Sequence, residues 1–241
     1  MIQPKKIAII GATSGIGRRL AELYIKKGHQ VGISGRRLGL LEEIRQQSAQ
    51  RIEYECFDVT KTDIKFHLEA LVNMLGGLDI LIISAGGGDV SKELNWPLDK
   101  LTIDTNVNGF AEIAKWGFNF FVKQGHGQLA TISSIAAIRG GSWAPAYNAS
   151  KAFQSSYFEG LVIKAKRLKK NISVTCIEPG FVDTNMAKGS KKIWVMPVER
   201  AAKRIIKAIE KKKRKSHLSL RWWLIAKLVK ILPYWLYRKI G

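Results

Sequence analysis

Lys5-Lys6-Ile7-Ala8-Ile9-Ile10-Gly11-Ala12-Thr13-Ser14-Gly15-Ile16-Gly17-Arg18-Arg19-Leu20 decides the fold of this chain. An unbroken apolar run, Ile7 to Ile10, leads straight into glycines at Gly-x-x-x-Gly-x-Gly spacing, and apolar residues then recur at helical intervals. Strand, tight turn and amphipathic helix in that order form a nucleotide-binding unit. Glycine permits the turn and lets a pyrophosphate approach the backbone, while the helix offers free N–H groups and the positive end of its dipole. This reading places Gly11, Thr13, Ser14, Gly15, Ile16 and Gly17 around a dinucleotide.

Working outward, strand-like runs recur at residues 6–10, 29–34, 51–57, 78–84, 127–133 and 172–177, with helical stretches between them. Regular alternation of this kind predicts a Rossmann-like, doubly wound parallel sheet in three α/β/α layers, with ligands at the carboxyl ends of the strands. With 241 residues the chain is long enough for one domain with a core on each side of a sheet. Residues 1–200 are expected to form the catalytic and nucleotide-binding domain, and 201–241 a basic amphipathic extension.

Ser142-Trp143-Ala144-Pro145-Ala146-Tyr147-Asn148-Ala149-Ser150-Lys151 sets a phenol and an ammonium one helical turn apart, on one face. A nearby cation favours the phenolate and would bring a tyrosine hydroxyl from near pH 10 toward working pH. Tyr147-x-x-x-Lys151 together with the glycine turn resembles the short-chain dehydrogenase/reductase family over about residues 5–187. The resemblance implies a substrate-positioning role for Ser134, which lies thirteen residues before Tyr147, in preference to Ser133. It implies that Asn106, in Asp104-Thr105-Asn106-Val107-Asn108-Gly109, supports a proton relay from Lys151. It also implies that Pro179, Gly180, Val182 and Thr184 lie over the nicotinamide, that Asp58 and Val59 reach the adenine, and that Ala85 and Gly86 line the cofactor. The sequence departs from the family where Ser84-Ala85-Gly86-Gly87-Gly88 replaces Asn-Ala-Gly and where Ile10 replaces a threonine.

After the second strand stand Arg36 and Arg37, where an NAD site would carry a carboxylate for the ribose 2′-hydroxyl. A guanidinium instead suits a 2′-phosphate, so NADP(H) is the expected cofactor, with Arg36 the main contact and Arg37 assisting. The family implies hydride transfer between NADP(H) and a small-molecule carbonyl or alcohol, with Tyr147 as proton donor. A non-catalytic NADPH-binding sensor stays as the alternative reading. Family members pair through the helices bearing the asparagine and the Tyr-Lys pair, which implies a homodimer or homotetramer. Phe118, Phe120, Phe121, Phe153 and Phe158 are either that apolar face or core.

Cys56 and Cys176 sit inside apolar strands and read as small buried hydrophobes, and the scattered histidines imply no metal. The first apolar run is strand one rather than a signal peptide, so a cytoplasmic location is expected. Residues 201–241 carry thirteen Lys or Arg against a single acid, Glu210, within a chain of net charge +21. On a helical wheel Arg221, Lys227 and Lys230 occupy one half and leave the other apolar. These charges and Pro233 exclude a membrane-spanning helix. Three occupants remain for the apolar half. An anionic membrane surface is favoured, with Trp222, Trp223 and Trp235 at headgroup depth; the alternatives are the enzyme's own core or dimer interface, and nucleic acid, which the periodicity suits least. The segment 185–197, including Lys188, Lys191, Lys192 and Trp194, is short for a substrate lid, and beside such a tail it suggests a lipophilic or lipid-linked substrate.

Overall fold

Ile80-Leu81-Ile82-Ile83 shows why the sheet forms: all four side chains are buried, as a central parallel strand covered on both faces requires. In the computed structural model, which describes residues 3–61, 63–88, 93–184 and 194–239, seven parallel strands run in the order β3-β2-β1-β4-β5-β6-β7. They are β1 Lys6–Ile10, β2 Gln30–Gly35, β3 Ile52–Cys56, β4 Ile80–Ile83, β5 His126–Ile132, β6 Asn171–Glu178 and β7 Lys215–His217. The order reverses between β1 and β4, which opens a crevice at the carboxyl ends of those strands.

Helices α1 (Gly15–Lys26), α2 (Leu38–Gln46) and α7 (Val198–Glu210) cover one face, burying Leu20, Tyr24, Leu41, Ile44, Ile205 and Ile209 against the sheet. On the other face lie α3 (Ile64–Leu75), α5 (Phe110–Gln124) and α6 (Pro145–Arg167), with Leu68, Leu71, Phe118, Phe121 and Phe158 in a second core. Helix α4 (Trp96–Ile103) passes into α5 through a π-helical turn, Asp104–Gly109. The chain closes with α8 (Leu220–Ile231) and α9 (Tyr234–Tyr237).

Two expectations change. Residue 200 is not a seam, because α7 crosses it with Ala201, Ala202, Ile205, Ile206 and Ile209 buried, and β7 extends the sheet beside β6. The Lys211–Lys215 run hides that strand, since a three-residue edge strand tolerates charge that a central one would not. Cys56 is exposed where β3 ends, whereas Cys176 on β6 is buried, so only Cys176 is the small core hydrophobe expected. Of the five phenylalanines, Phe118, Phe121 and Phe158 belong to the core, while Phe153 stacks on Tyr157 and Phe120 on Trp116 near the surface.

Candidate active site

The glycine turn is shaped by its neighbours as much as by its own backbone. Gly11 (φ +90°) lies so close to β4 that a Cβ there would come within 2.4 Å of the Ala85 nitrogen, and a Cβ on Gly17 would come within 2.1 Å of the Gly11 carbonyl. Side chains at either position would separate α1 from the sheet. Gly15 (φ +57°) faces the Thr184 side chain, which brings the segment after β6 to the glycine turn. Ser14 makes no side-chain cap on α1, and the first turn of that helix carries no acid. Free amides and an uncompensated helix N-terminus fit an anionic pyrophosphate.

Beyond β2, Arg37 folds back over this turn, its guanidinium donating to Thr13 Oγ1 at 2.6 Å and Ser14 Oγ at 2.9 Å. Arg36 is 62% exposed, with its guanidinium 3.9 Å from an Asp58 oxygen. Asp58 also caps its own turn by accepting from Thr60 N and Oγ1, both at 2.9 Å. Val59 packs under the π turn, where its carbonyl leaves no room for a Cβ on Gly109.

Opposite the turn, Ser133 and Ser134 follow the end of β5. Ser133 is buried and donates to the Lys151 carbonyl at 3.0 Å, so it joins strand to helix. Ser134 accepts from Ala136 N at 3.1 Å, and its hydroxyl lies close enough to the Tyr147 phenol to act on its titration. The 134–139 segment is held in turn by Asn148, whose amide donates to the carbonyls of Ala136 and Arg139. Lys151, one turn along α6 from Tyr147, is buried and donates to Ile132 O and Gln154 Oε1, each at 3.0 Å. Its Nζ lies 5.8 Å from the Tyr147 ring centre.

Asn106 is fully buried inside the π turn, a widened helical geometry that recurs at functional sites. Its side-chain amide both donates to and accepts from Gly87, at 2.6 and 3.0 Å, and also donates to Ser150 Oγ. The run after β4 therefore serves this cluster. A Cβ on Gly86 would touch Asn106 and Lys151 at 3.2 Å, and one on Gly88 would lie 2.2 Å from the Tyr147 ring. Reading this run only as a replacement for Asn-Ala-Gly misses Gly87 and Gly88, which line the cluster. Gln154, Asn148 and Ser150 are missed too, and their positions one turn or less from Tyr147 and Lys151 are the available signal.

The electrostatics differ from the expectation that Lys151 brings the Tyr147 hydroxyl toward neutrality. Burial pushes Tyr147 up, and the Ser134 hydrogen bond pulls the other way without overcoming it. Lys151 is itself lowered to about 8 by burial. At neutral pH the pair is thus a protonated phenol and an ammonium, suited to giving a proton away.

Above this cluster Pro179, Gly180 and Phe181 turn from β6. The Pro179 carbonyl accepts from Ile135 N at 2.8 Å, and Val182 bridges to Met196. Trp222 of α8 packs on Gly180 so closely that a Cβ there would lie 2.2 Å from the indole, and it meets Phe181 and Trp194 edge-on. Arg139 donates to the Leu232 carbonyl at 2.5 Å and sits over the Tyr237 ring, whose hydroxyl donates to Gly140 O. The tail is thereby laid across the segments after β5 and β6. Lys188, Lys191 and Lys192 of the expected lid lie outside the described residues.

A family model described as short chain dehydrogenase matches residues 5–193. An uncharacterized oxidoreductase of Myxococcus xanthus is 37% identical over 184 residues, covering 74% of this chain and 72% of its own. One of Mycobacterium tuberculosis is 29% identical over 238 residues, covering 95% and 92%. A short-chain dehydrogenase/reductase of Burkholderia phymatum, solved with NAD, superposes with a TM-score of 0.85 at 18% identity, covering 95% of this chain and 94% of that one. ElxO with NADP bound gives 0.81 at 19% identity, covering 92% and 100%. The chain belongs to the short-chain dehydrogenase/reductase family of oxidoreductases.

Proposed function

We propose that this oxidoreductase reduces a carbonyl, using NADPH, by way of Tyr147, Ser134, Lys151 and Asn106. The observation that carries the reading is the gathering of Tyr147, Lys151 and Asn106 where β4 and β5 end, with Lys151 bonded to Ile132 O and Asn106 to Gly87, across the crevice from the glycine turn. NADPH, when bound, supplies the hydride. Ser134 and Tyr147 orient the carbonyl oxygen, and Tyr147 gives it the proton as charge develops. Lys151 holds the nicotinamide ribose and keeps positive charge beside the phenol. Asn106 fixes Gly87 and the π turn. Gly11, Thr13, Ser14, Gly15, Ile16 and Gly17 hold the pyrophosphate, Asp58 and Val59 the adenine, Ala85 and Gly86 the adjoining ribose side, and Pro179, Gly180, Val182 and Thr184 the carboxamide side. Consumption of NADPH with a panel of small and long-chain ketones tests the reading, and no turnover across the panel would overturn it.

Cofactor choice rests on Arg36 and Arg37. Arg37 is already held by Thr13 and Ser14, which leaves the exposed Arg36 as the freer partner for a 2′-phosphate. Arg36→Ala should cut the preference for NADPH over NADH on the order of tenfold, the worth of one charge-assisted contact at an exposed site. Affinities for both cofactors by fluorescence titration check this, and an unchanged ratio would remove Arg36 from the site.

The tail is proposed to seat the enzyme on an anionic membrane, though by a different face from the one its pattern suggests. The apolar half of α8 packs inward through Trp222 and Ala226, so Trp222 does not reach lipid. Within the charged half, Leu220, Leu224, Leu228 and Ile231 form their own outward stripe, with Arg221 on one side and Lys227 and Lys230 on the other. Arg221 also lines an open cleft of about 460 Å³ with Arg200, Arg204 and Trp194. An apolar stripe bordered by long cationic side chains suits a helix lying in the headgroup region. None of the described helices is long and apolar enough to cross a membrane.

Removing everything after Glu210 would delete β7 and uncover Gly180, so surface substitutions give the sharper test. Leu224→Asp with Leu228→Asp should weaken flotation with phosphatidylglycerol vesicles at least about tenfold, by removing inserted apolar area, and leave reduction of a water-soluble ketone unchanged. Equal flotation of variant and parent would discard the membrane role. A tail that presents the crevice to a bilayer favours a lipophilic substrate, and the Phe120, Trp116, Phe153 and Tyr157 surface favours a homodimer or homotetramer through α5 and α6.

A further inference from the structure

A buried amide joins the two elements that carry the site. Gln154 lies three residues after Lys151 on α6 and is 1% exposed. Its Oε1 accepts from Lys151 Nζ at 3.0 Å, and its Nε2 donates to the main-chain carbonyl of Asn106, also at 3.0 Å. The carbonyl only accepts and the ammonium only donates, so turning the amide over would set oxygen against oxygen and N–H against N–H. Its acceptor end is therefore committed to Lys151. A buried polar side chain with both ends matched in this way is held rigidly.

We propose that Gln154 is a positioning residue: through the π turn of Asn106 it presents a fixed oxygen that holds the Lys151 ammonium in place and in its charged form. This inference rests on the reductase reading only for its catalytic consequence. Among the described residues, the titratable groups facing Lys151 are Tyr147 on its own helix and Cys176 on β6. Cys176 is pushed up to about 12 by burial and stays a neutral thiol. Glu178, further along β6, is reached only through Ser155 and pairs with Lys215, while Asp104 at the start of the π turn pairs with Lys100. Among the described residues, burial lowers Lys151 to about 8 and only the Cys176 thiol opposes it. Two neutral oxygens, Ile132 O and Gln154 Oε1, accept its protons. Of the two, only Gln154 is a side chain that substitution can change.

The test is an NMR titration of labelled lysine side chains in the full chain, with the Lys151 signal assigned by Lys151→Met. Gln154→Leu, close in volume, removes the acceptor, and Lys151 should titrate about one pH unit lower, the effect of losing one charge-assisted hydrogen bond. Gln154→Glu puts a carboxylate oxygen against Lys151, although its second oxygen then faces the Asn106 carbonyl, and the anion should move Lys151 upward. The alkaline limb of kcat/KM should follow in each direction. Opposite shifts are a signature that lost packing alone would not give.

If Lys151 titrates unchanged in both variants, the inference is overturned whatever the enzyme turns over. Should Gln154→Leu not fold, Gln154→Glu alone decides, and failure to raise Lys151 counts against the proposal. A parent chain that binds NADPH and reduces no carbonyl would overturn the reductase reading instead, and the titration would still judge Gln154.

Discussion

Tyr147→Phe should lower kcat for carbonyl reduction roughly 10³-fold while leaving NADPH affinity nearly unchanged, because it removes one hydroxyl and keeps the ring. The ring stays packed against Gly88 and Lys151 stays bonded to Ile132 and Gln154, so the cofactor side keeps its shape. What disappears is the hydroxyl near Ser134, the donor of the proposed mechanism. Stopped-flow NADPH oxidation and cofactor fluorescence separate the two effects. Activity within tenfold of the parent would assign proton donation elsewhere.

The same pair sets a pH dependence whose sign follows from the shifts. Burial raises Tyr147, so the phenol remains a donor across the neutral range. Lys151, lowered to about 8, is charged below that pH and neutral above it. Reduction should accordingly be flat below pH 7 and decline above about 8, whereas alcohol oxidation, which needs the phenolate, should improve with rising pH.

How far the sequence carries this site depends on the range of the interaction. Gly11, Gly15 and Gly17 declare themselves because a turn, a close approach and a helix start are local demands, and the buried strands declare themselves because apolar runs have no solvent-facing alternative. Tyr147, Lys151, Ser134 and Asn106 are found through family spacing, and the fold brings them together at adjacent strand ends. Gln154, Asn148 and Gly88 act through partners 48, 12 and 59 positions away, so closeness to Tyr147 and Lys151 hints at the first two but their partners are not legible locally. The tail misleads for another reason. A helix with apolar residues on opposite sides shows one stripe to the protein and one outward, and a wheel that sorts residues only by charge merges the second stripe with the cations around it. The strand Lys215–His217 is lost within a basic run because its partners, Cys176, Ile177 and Glu178, lie far away in sequence and no local pattern marks the pairing.

Gly88→Ala is expected to reduce kcat on the order of 10²-fold, with Gly87→Ala close to the parent. The added methyl at position 88 would lie 2.2 Å from Tyr147 Cδ2, 2.8 Å from Cγ and 3.1 Å from Cβ. Those atoms form the root of the ring, which cannot rotate away as the tip of a long side chain would. The phenol must therefore move, or the segment after β4 must, and a displacement near 1 Å at a proton donor is enough for a loss of that size. At Gly87 an added methyl meets nothing within 4 Å, and its backbone bonds to Asn106 do not involve the hydrogen being replaced. Neither glycine has a positive φ, so backbone strain does not separate the two. Steric contact with Tyr147 does. Equal activity in the two variants would mean that the phenol tolerates displacement, and the tight seat between Gly88 and Ser134 would lose its catalytic meaning. A loss confined to Gly88→Ala, with NADPH affinity preserved, would tie the rate to the position of one hydroxyl.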